Sequence, residues 1–442
     1  MEACLNGMVT VLVLGRIMTS RRGFGNTERL AFVTVTRPPS KSYYEVIELS
    51  SGEKRKMAAA NVSDLRLMAQ KILPKPIFDF IDAAGFEEKT LQANLNDFSL
   101  LKFRQRVMLD ISNRKLSTTI VGQPCAFPAV ISPTGMSGIL HGTRAEIAAA
   151  KGAKRAGIPF TLGMMSIASL EEVVAEAGAV WFQLCLLKDR GLIQMLVDRA
   201  LAAQSPVLIL TVSWPTMGQT NRFIRNNTTS LPPKLTPGSL LEFARHPRWS
   251  LGAVMGKKIG LGNFDGHMNG PSDLGAILTQ LEDAPSWKDI EWLRSIWPGK
   301  LIVKGVMDPD DALAAINAGA DAVSVSNHGG NCLDEGQSTI SVLPRVVEKV
   351  GDRGEVLIDG GVRSGQDVLK ALALGARGCL LGRAHLFGLA AGGEEGVARA
   401  MEFIRHELDI TMAFAGVAEV HAVGPSVLVD DGAIFGSAHK QY

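Results

Sequence analysis

The chain has 442 residues, 46% of them hydrophobic and 20% charged, with a formal net charge of +2. That is apolar material for a large core, and the near-neutral balance gives no argument for nucleic acid or an anionic surface as a general partner. The five cysteines (Cys4, Cys125, Cys185, Cys332, Cys379) are scattered, with no CxxC pair and no Cys/His ligand spacing, so neither a metal site nor a disulfide framework is expected and a reducing compartment is.

No apolar run approaches the ~20 residues needed to span a bilayer. Met8 to Met18 is mostly apolar, but Arg21-Arg22 follow it, whereas a signal peptide carries its positive charge first. Residues 1–56 show no coherent period and read as an extension, with Met57 opening the fold proper, 57–442. From Val62 to Leu73 apolar residues fall at helical spacing until Leu73-Pro74. A second helix runs through Ile77 to Ile81 toward Gly85, and an extended segment follows Leu101.

Beyond Ile111 short apolar runs alternate with amphipathic helical stretches. The predicted strands are Ala129 to Ser132, Phe160 to Leu162, Val180 to Leu184, Val207 to Val212, Leu301 to Val306, Ala322 to Ser326, Glu355 to Ile358 and Gly378 to Leu381. Helices are expected at Arg144 to Ala156, Leu170 to Ala177, Leu192 to Ala203, Pro309 to Ala318, Ile340 to Val350 and Gly365 to Leu374. Apolar strands separated by helices imply a parallel sheet covered on its outer face. Eight such units are the count of a (β/α)₈ TIM barrel. The alternative, a doubly wound open sheet, lacks a GxGxxG after its first strand.

Residues 213–300 form a long insertion between the fourth and fifth strands. Its apolar piece, Trp249 to Met255, is flanked by Arg248 and Lys257-Lys258. It is either a lid packing on its own barrel or a peripheral contact, over 249–258, with an anionic membrane surface.

In a (β/α)₈ barrel the active site lies at the carboxyl ends of the strands. Those ends carry Ser132-Pro133-Thr134-Gly135, Gly163, Gln183, Thr211, Lys304, His328, Asp359-Gly360-Gly361-Val362-Arg363 and Gly382-Arg383. Glycine and arginine in each of the last two units suit a phosphate, bound by backbone N–H groups and guanidinium. Gln183 and Thr211 suit the edge of a polar heterocycle. Lys304, at the end of an apolar strand, requires an anion or an electron-rich ring. FMN satisfies all three.

The same residues carry a resemblance. Ser132 to Gly135, Trp181-Phe182-Gln183-Leu184, His246-Pro247-Arg248-Trp249, Lys304-Gly305, Ser326-Asn327-His328-Gly329-Gly330 and Asp359-Gly360-Gly361-Val362-Arg363 match the FMN-dependent α-hydroxy-acid oxidase/dehydrogenase family. The likeness is greatest to its L-lactate and mandelate dehydrogenase branch and covers the chain from about Val62 onward. It implies a barrel that binds FMN, with His328 at the position of the base that takes the substrate's hydroxyl proton while hydride passes to the flavin.

The substrate half departs from that family. Where the resemblance implies an aspartate beside the histidine, this chain has Ser213; where it implies two carboxylate-binding arginines, it has Thr220 and Asn331; where it implies two tyrosines, it has Phe80 and Cys185. Asn331 also resembles the corresponding residue of a peptide-modifying branch, the mycofactocin maturation dehydrogenase, although that branch keeps the aspartate. Three readings follow. The chain oxidises a hydroxyl- or amine-bearing carbon of a small-molecule substrate without a free α-carboxylate. Or it is an ordinary L-2-hydroxy-acid dehydrogenase that uses Arg222 or Arg225 as a substitute anchor. Or it is a non-catalytic flavoprotein. The resemblance further implies a homo-oligomer in the cytoplasm or peripheral to the inner face of a membrane. The electron acceptor (oxygen, a quinone or a carrier protein) is open.

Overall fold

The computed structural model describes residues 9–11, 33–35, 59–142, 144–216, 218–226, 237–255, 260–267 and 274–429. The chain divides into two compact units, Met1–Ala58 and Ala59–Tyr442. In the first, the described residues are two three-residue strands, Val9–Val11 and Val33–Val35, paired antiparallel. The rest of the predicted extension lies outside the described residues, as do Lys257 and Lys258.

The second unit is the barrel. Its strands are β1 (Ala129–Ile131), β2 (Thr161–Gly163), β3 (Trp181–Cys185), β4 (Val207–Thr211), β5 (Lys300–Val306), β6 (Ala322–Ser326), β7 (Glu355–Asp359) and β8 (Gly378–Leu381). They form one parallel sheet in which β1 pairs β8 and each later strand pairs its sequence neighbour. A parallel bridge between Ile131 and Phe160 joins β1 to the start of β2 and closes the ring. Open-sheet topology is thereby excluded. Every predicted strand is present, with ends within a residue of expectation.

Both faces of these strands are buried, which is why they read as continuous apolar runs. The inward set is Val130, Trp181, Val207, Ile209, Ile302, Ala322, Leu357 and Leu380, which cluster together. Ile120, Val121 and Cys125, from a hairpin of Thr118–Ile120 and Gln123–Cys125, join this cluster and plug the amino-terminal end of the barrel. Side chains alternate along a strand. Two residues beyond Val130, Trp181, Ile209, Ile302 and Leu357 come Ser132, Gln183, Thr211, Lys304 and Asp359, so the pleat that packs the core also lines the mouth with polar groups.

Three helices precede the barrel: α1 (Val62–Ile72), which packs on the last helix of the chain, and α2 (Lys75–Asp82) and α3 (Lys89–Leu100), which reach the mouth. A Cβ on Gly361 would stand 2.1 Å from the Asn94 carbonyl oxygen of α3, so this glycine admits the helix to the strand end. The outer helices begin where their sequences cap them. Ser169 and Ser364 form capping boxes with Glu172 and Asp367, and Asp308 caps the Pro309–Asn317 helix. The last, α4 (Arg383–Ala415), starts at Gly382 without a side-chain cap and is broken at Gly392-Gly393. The insertion contains the helices Asn221–Arg225, Pro237–Arg245, Pro247–Met255, Leu274–Thr279 and Trp287–Ile296, the last being the outer helix of the fourth unit.

Candidate active site

The polar layer inside the barrel mouth is centred on an ion pair. Lys304 Nζ lies 2.8 Å from Asp359 Oδ2, and both residues are buried. The hydroxyls of Ser132 and Ser326 donate to the same carboxylate oxygen at 3.3 and 3.2 Å. Burial opposes the charge on Asp359, but Lys304 outweighs it and holds the carboxyl below its ordinary range. The sequence placed Asp359 among cofactor contacts. Its side chain neutralises and aims the lysine. Gln183 Nε2 donates to Thr211 Oγ1 at 3.0 Å and to Cys185 Sγ at 3.3 Å, so these strand ends form one wall. That wall continues to Gly163, where an added Cβ would lie 3.3 Å from Gln183 Oε1 and 3.5 Å from the Thr134 carbonyl oxygen.

His328 follows β6 in a left-handed backbone conformation, φ 56°. Three contacts hold it there. Its N–H donates to Ser326 Oγ at 3.2 Å. Asn327 accepts from Gly330 N at 3.1 Å and exchanges side-chain hydrogen bonds with Asn94 of α3 at 2.8 and 2.9 Å. Gly329, φ 65°, supplies the turn that follows. The ring is fixed by Ser213, whose Oγ lies 3.1 Å from Nδ1, and by Trp214, whose ring centroid is 5.6 Å away. Gly305, φ 112°, allows this approach, since a Cβ there would stand 2.5 Å from that of Ser213. Burial pushes the imidazole down to about 3, aided by the Lys304 and Arg383 cations and opposed by Asp359. A neutral ring that donates Nδ1–H to Ser213 Oγ keeps a lone pair on Nε2, the arrangement a proton acceptor needs. Asn94, Ser326 and Trp214 carry no chemistry of their own and were not singled out as site residues.

The two arginines expected at a phosphate are not equivalent. Arg363 donates only to the carbonyl of its neighbour Val362, at 2.8 Å, and has no carboxylate partner. Burial, and Arg383 nearby, push it down to about 10. It is a cation in want of an anion. The guanidinium of Arg383 is tied to protein: it donates to the carbonyls of Ile81, Ala83 and Gly329 at 3.0, 2.6 and 2.9 Å and to Asn331 Oδ1 at 3.3 Å. Arg383 offers an anion its backbone N–H, in the uncapped first turn of α4 beside Gly382. With Gly360 and Gly361 at φ 128° and 87°, the cradle is side-chain-free on the β7 side too. A half-buried guanidinium without a carboxylate partner, orphaned helix N–H groups and a glycine-lined turn fit a phosphate. The Lys304–Gln183–Thr211 wall fits a ring with carbonyl and N–H edges.

The side where the sequence expects the substrate is built from loops. Gly85 N donates to the Gly330 carbonyl and Phe86 N to that of Gln219, both at 2.9 Å. A Cβ on Gly218 would stand 2.7 Å from the Asn331 carbonyl oxygen. These contacts knit segments 83–88, 218–226 and 329–334 around Thr220 and Asn331. Phe80 stacks on Phe223 at 6.3 Å, and burial pushes the Cys185 thiol up to about 11. Arg222, a candidate substitute anchor, is engaged elsewhere. It lies 3.3, 2.9 and 2.5 Å from carboxylate oxygens of Asp79, Asp82 and Glu88. Burial opposes its charge, but Asp82 and Glu88 outweigh that and raise its pKa.

Comparison with known proteins places the chain in a family. Residues 69–430 match the model of the FMN-dependent dehydrogenase family. An L-lactate dehydrogenase of Pseudomonas syringae pv. syringae is 38% identical over 379 residues, covering 84% of this chain and 99% of its own. A crystal structure of (S)-mandelate dehydrogenase, described as a monotopic membrane protein, superimposes with a TM-score of 0.81 at 36% identity, covering 84% of this chain and all of the other. An arginine-to-leucine variant of mandelate oxidase, solved with 2-hydroxy-phenylacetamide, gives a TM-score of 0.71 at 32% identity, covering 84% and 98%. The chain therefore belongs to the FMN-dependent α-hydroxy-acid dehydrogenase family and is an FMN-dependent oxidoreductase.

Proposed function

We propose that the protein oxidises an α-hydroxy carbonyl compound whose carbonyl is uncharged, an α-hydroxy amide being the representative, with His328 as base. The observation that carries this reading is the absence, among the described residues, of an available cation on the substrate side. Arg222 is held by three carboxylates, Arg383 by three backbone carbonyls, and Arg225 is exposed. Thr220 and Asn331 are neutral. A carboxylate desolvated there without a cation loses several kcal/mol. Asn331 supports the amide in particular. Its Oδ1 accepts from Arg383, which leaves its Nδ2 as a donor suited to a neutral carbonyl oxygen. An arginine-to-leucine variant of mandelate oxidase was solved with 2-hydroxy-phenylacetamide, so a structural neighbour that lacks one arginine takes an amide. FMN, held by the Lys304–Gln183–Thr211 wall, would supply the hydride acceptor. The chain's own part is to hold the substrate carbonyl, take the hydroxyl proton at Nε2 of His328, and keep Lys304 aimed by Asp359. Anaerobic bleaching of the bound flavin tests the reading: mandelamide and lactamide bleach faster than mandelate and lactate. Faster bleaching by the acids overturns it.

We also infer that the insertion rests on a membrane surface. Leu240, Leu241 and Leu251 lie on its two consecutive helices and are 54%, 55% and 60% exposed. Trp249, which the sequence grouped with Leu251, packs inward: its Nε1 donates to the Ile139 carbonyl at 2.8 Å and its ring stacks on Phe243. Both sequence readings, lid and surface contact, thus find residues, on opposite faces of one segment. Exposed leucines next to a polar face suit peripheral binding. Co-sedimentation with anionic vesicles, lost when the three leucines become serine, is expected. Equal recovery of both forms in the supernatant refutes it.

A further inference from the structure

His385 is buried completely, in the first turn of α4, and the chemistry above leaves it without a task. Its Nδ1 lies 2.8 Å from the Leu381 carbonyl oxygen. A carbonyl only accepts, so Nδ1 carries the proton. The ring is neutral, because burial pushes it down to about 4. Nε2 is therefore a lone pair, and Thr134 Oγ1 lies 3.5 Å from it. The one hydrogen available to that contact is the hydroxyl proton of Thr134. A threonine hydroxyl has one hydrogen and two lone pairs. With its hydrogen directed to His385, Thr134 can only accept from anything on its other side. Thr134 stands at the carboxyl end of β1 with its carbonyl in the Gly163–Gln183 wall, which is the wall that suits the flavin ring.

We propose that His385 is a positioning residue that turns the Thr134 hydroxyl into a hydrogen-bond acceptor and so biases the site toward reduced FMN. The reduced ring carries N–H groups that the oxidised ring lacks, and the oxidised ring presents lone pairs in their place. An acceptor at the ring edge therefore favours the reduced form, while a threonine free to rotate would serve both forms equally. The proposal rests on Thr134 facing the ring, and its test separates that premise from the relay.

The midpoint potential of the bound flavin is measured by dye equilibration for the wild type, H385F, T134V and the double variant. Loss of one net hydrogen bond changes the ratio of oxidised to reduced FMN affinities about tenfold, equal to about 30 mV for a two-electron couple. H385F and T134V each lower the potential by that amount, and the double variant falls no further. A wild-type potential in T134V overturns the placement of Thr134. A shift in T134V with none in H385F, or additive shifts in the double variant, overturns the relay. Should H385F fail to retain FMN, H385L serves in its place: its side chain can neither donate to Leu381 nor accept from Thr134, and an unaltered potential there again overturns the relay.

Discussion

Ser213 is where the electrostatics of His328, the proposed base, can be rewritten with least disturbance. Its Oγ lies 3.1 Å from His328 Nδ1, and the tight approach to Gly305 involves its Cβ and backbone N as well as its Oγ. S213D keeps that Cβ and puts a carboxylate where the hydroxyl was. An opposite charge within ~4–6 Å raises a histidine by about 1–3 pH units. His328, held at about 3, should then titrate near pH 4–6 in the variant. The assay needs no substrate: diethyl pyrocarbonate modifies neutral imidazole, and mass spectrometry of the peptide bearing His328 gives its rate at each pH. The wild-type rate is flat from pH 8 to pH 5, whereas the variant's falls as the pH drops toward 5. Stability follows with a definite sign. An unfolded histidine gains its proton below about pH 6.5 and the folded wild type does not, so stability is full above that value and declines as pH falls from 6.5 toward 3. The slope is about 1.4 kcal/mol per pH unit for each such histidine. S213D shortens this window from its acid end. A wild-type histidine that titrates near 6.5, or a variant indistinguishable from wild type, refutes the electrostatic argument.

N331R returns a cation to the substrate side; a charged hydrogen bond is worth about 1.5–3 kcal/mol, so kcat/KM for mandelate over mandelamide should rise by roughly ten- to a hundredfold, read in parallel steady-state assays. R222M strips a partner from Asp79, Asp82 and Glu88. Breaking a buried pair costs about 3–5 kcal/mol, and with Arg222 partly exposed the loss in urea unfolding should lie near the lower figure, without a change in the acid-to-amide preference. K304M leaves Asp359 buried and unpaired and should lower the melting temperature and FMN retention on gel filtration. Adding D359N should recover the melting temperature while flavin reduction stays impaired, since the pair is restored to neutrality and the cation is still missing.

The barrel was legible because each of its strands is buried on both faces and its sequence repeats one signal eight times. The inward position of Ser132, Gln183, Thr211, Lys304 and Asp359 follows from the same strands by counting in twos from the core residues. What stayed hidden depends on closure. Lys304 and Asp359 sit two strands apart, and only the curvature of the sheet brings their ends together. The role of Arg383 turns on carbonyls of α2, some 300 residues earlier. The α3 helix was not expected: its first turn has no side-chain cap, Glu88 before it is left-handed, and its apolar residues are few. The Thr118–Cys125 hairpin has three-residue strands, one holding Pro124, too short for a period to emerge. His385 gave no signal, because a lone histidine in an apolar helix start is ordinarily core.

The two halves of the site are built differently, and this explains how one could be kept while the other changed. The cofactor half stands on strand ends whose inward register is set by the barrel core. Moving Lys304 would move Ile302 and with it the packing of β4 and β6. The substrate half stands on three loops held to each other by backbone hydrogen bonds: Gly85 to Gly330 and Phe86 to Gln219. Bonds of that kind do not depend on the side chains at 220 or 331. Thr and Asn can therefore occupy those positions without disturbing the loops, and Arg222 stabilises the arrangement by pinning its helix to α2 through Asp79 and Asp82. A loop scaffold indifferent to the side chains at 220 and 331 would allow the proposed change from a charged to a neutral substrate while the barrel, the lysine and the histidine stay in place.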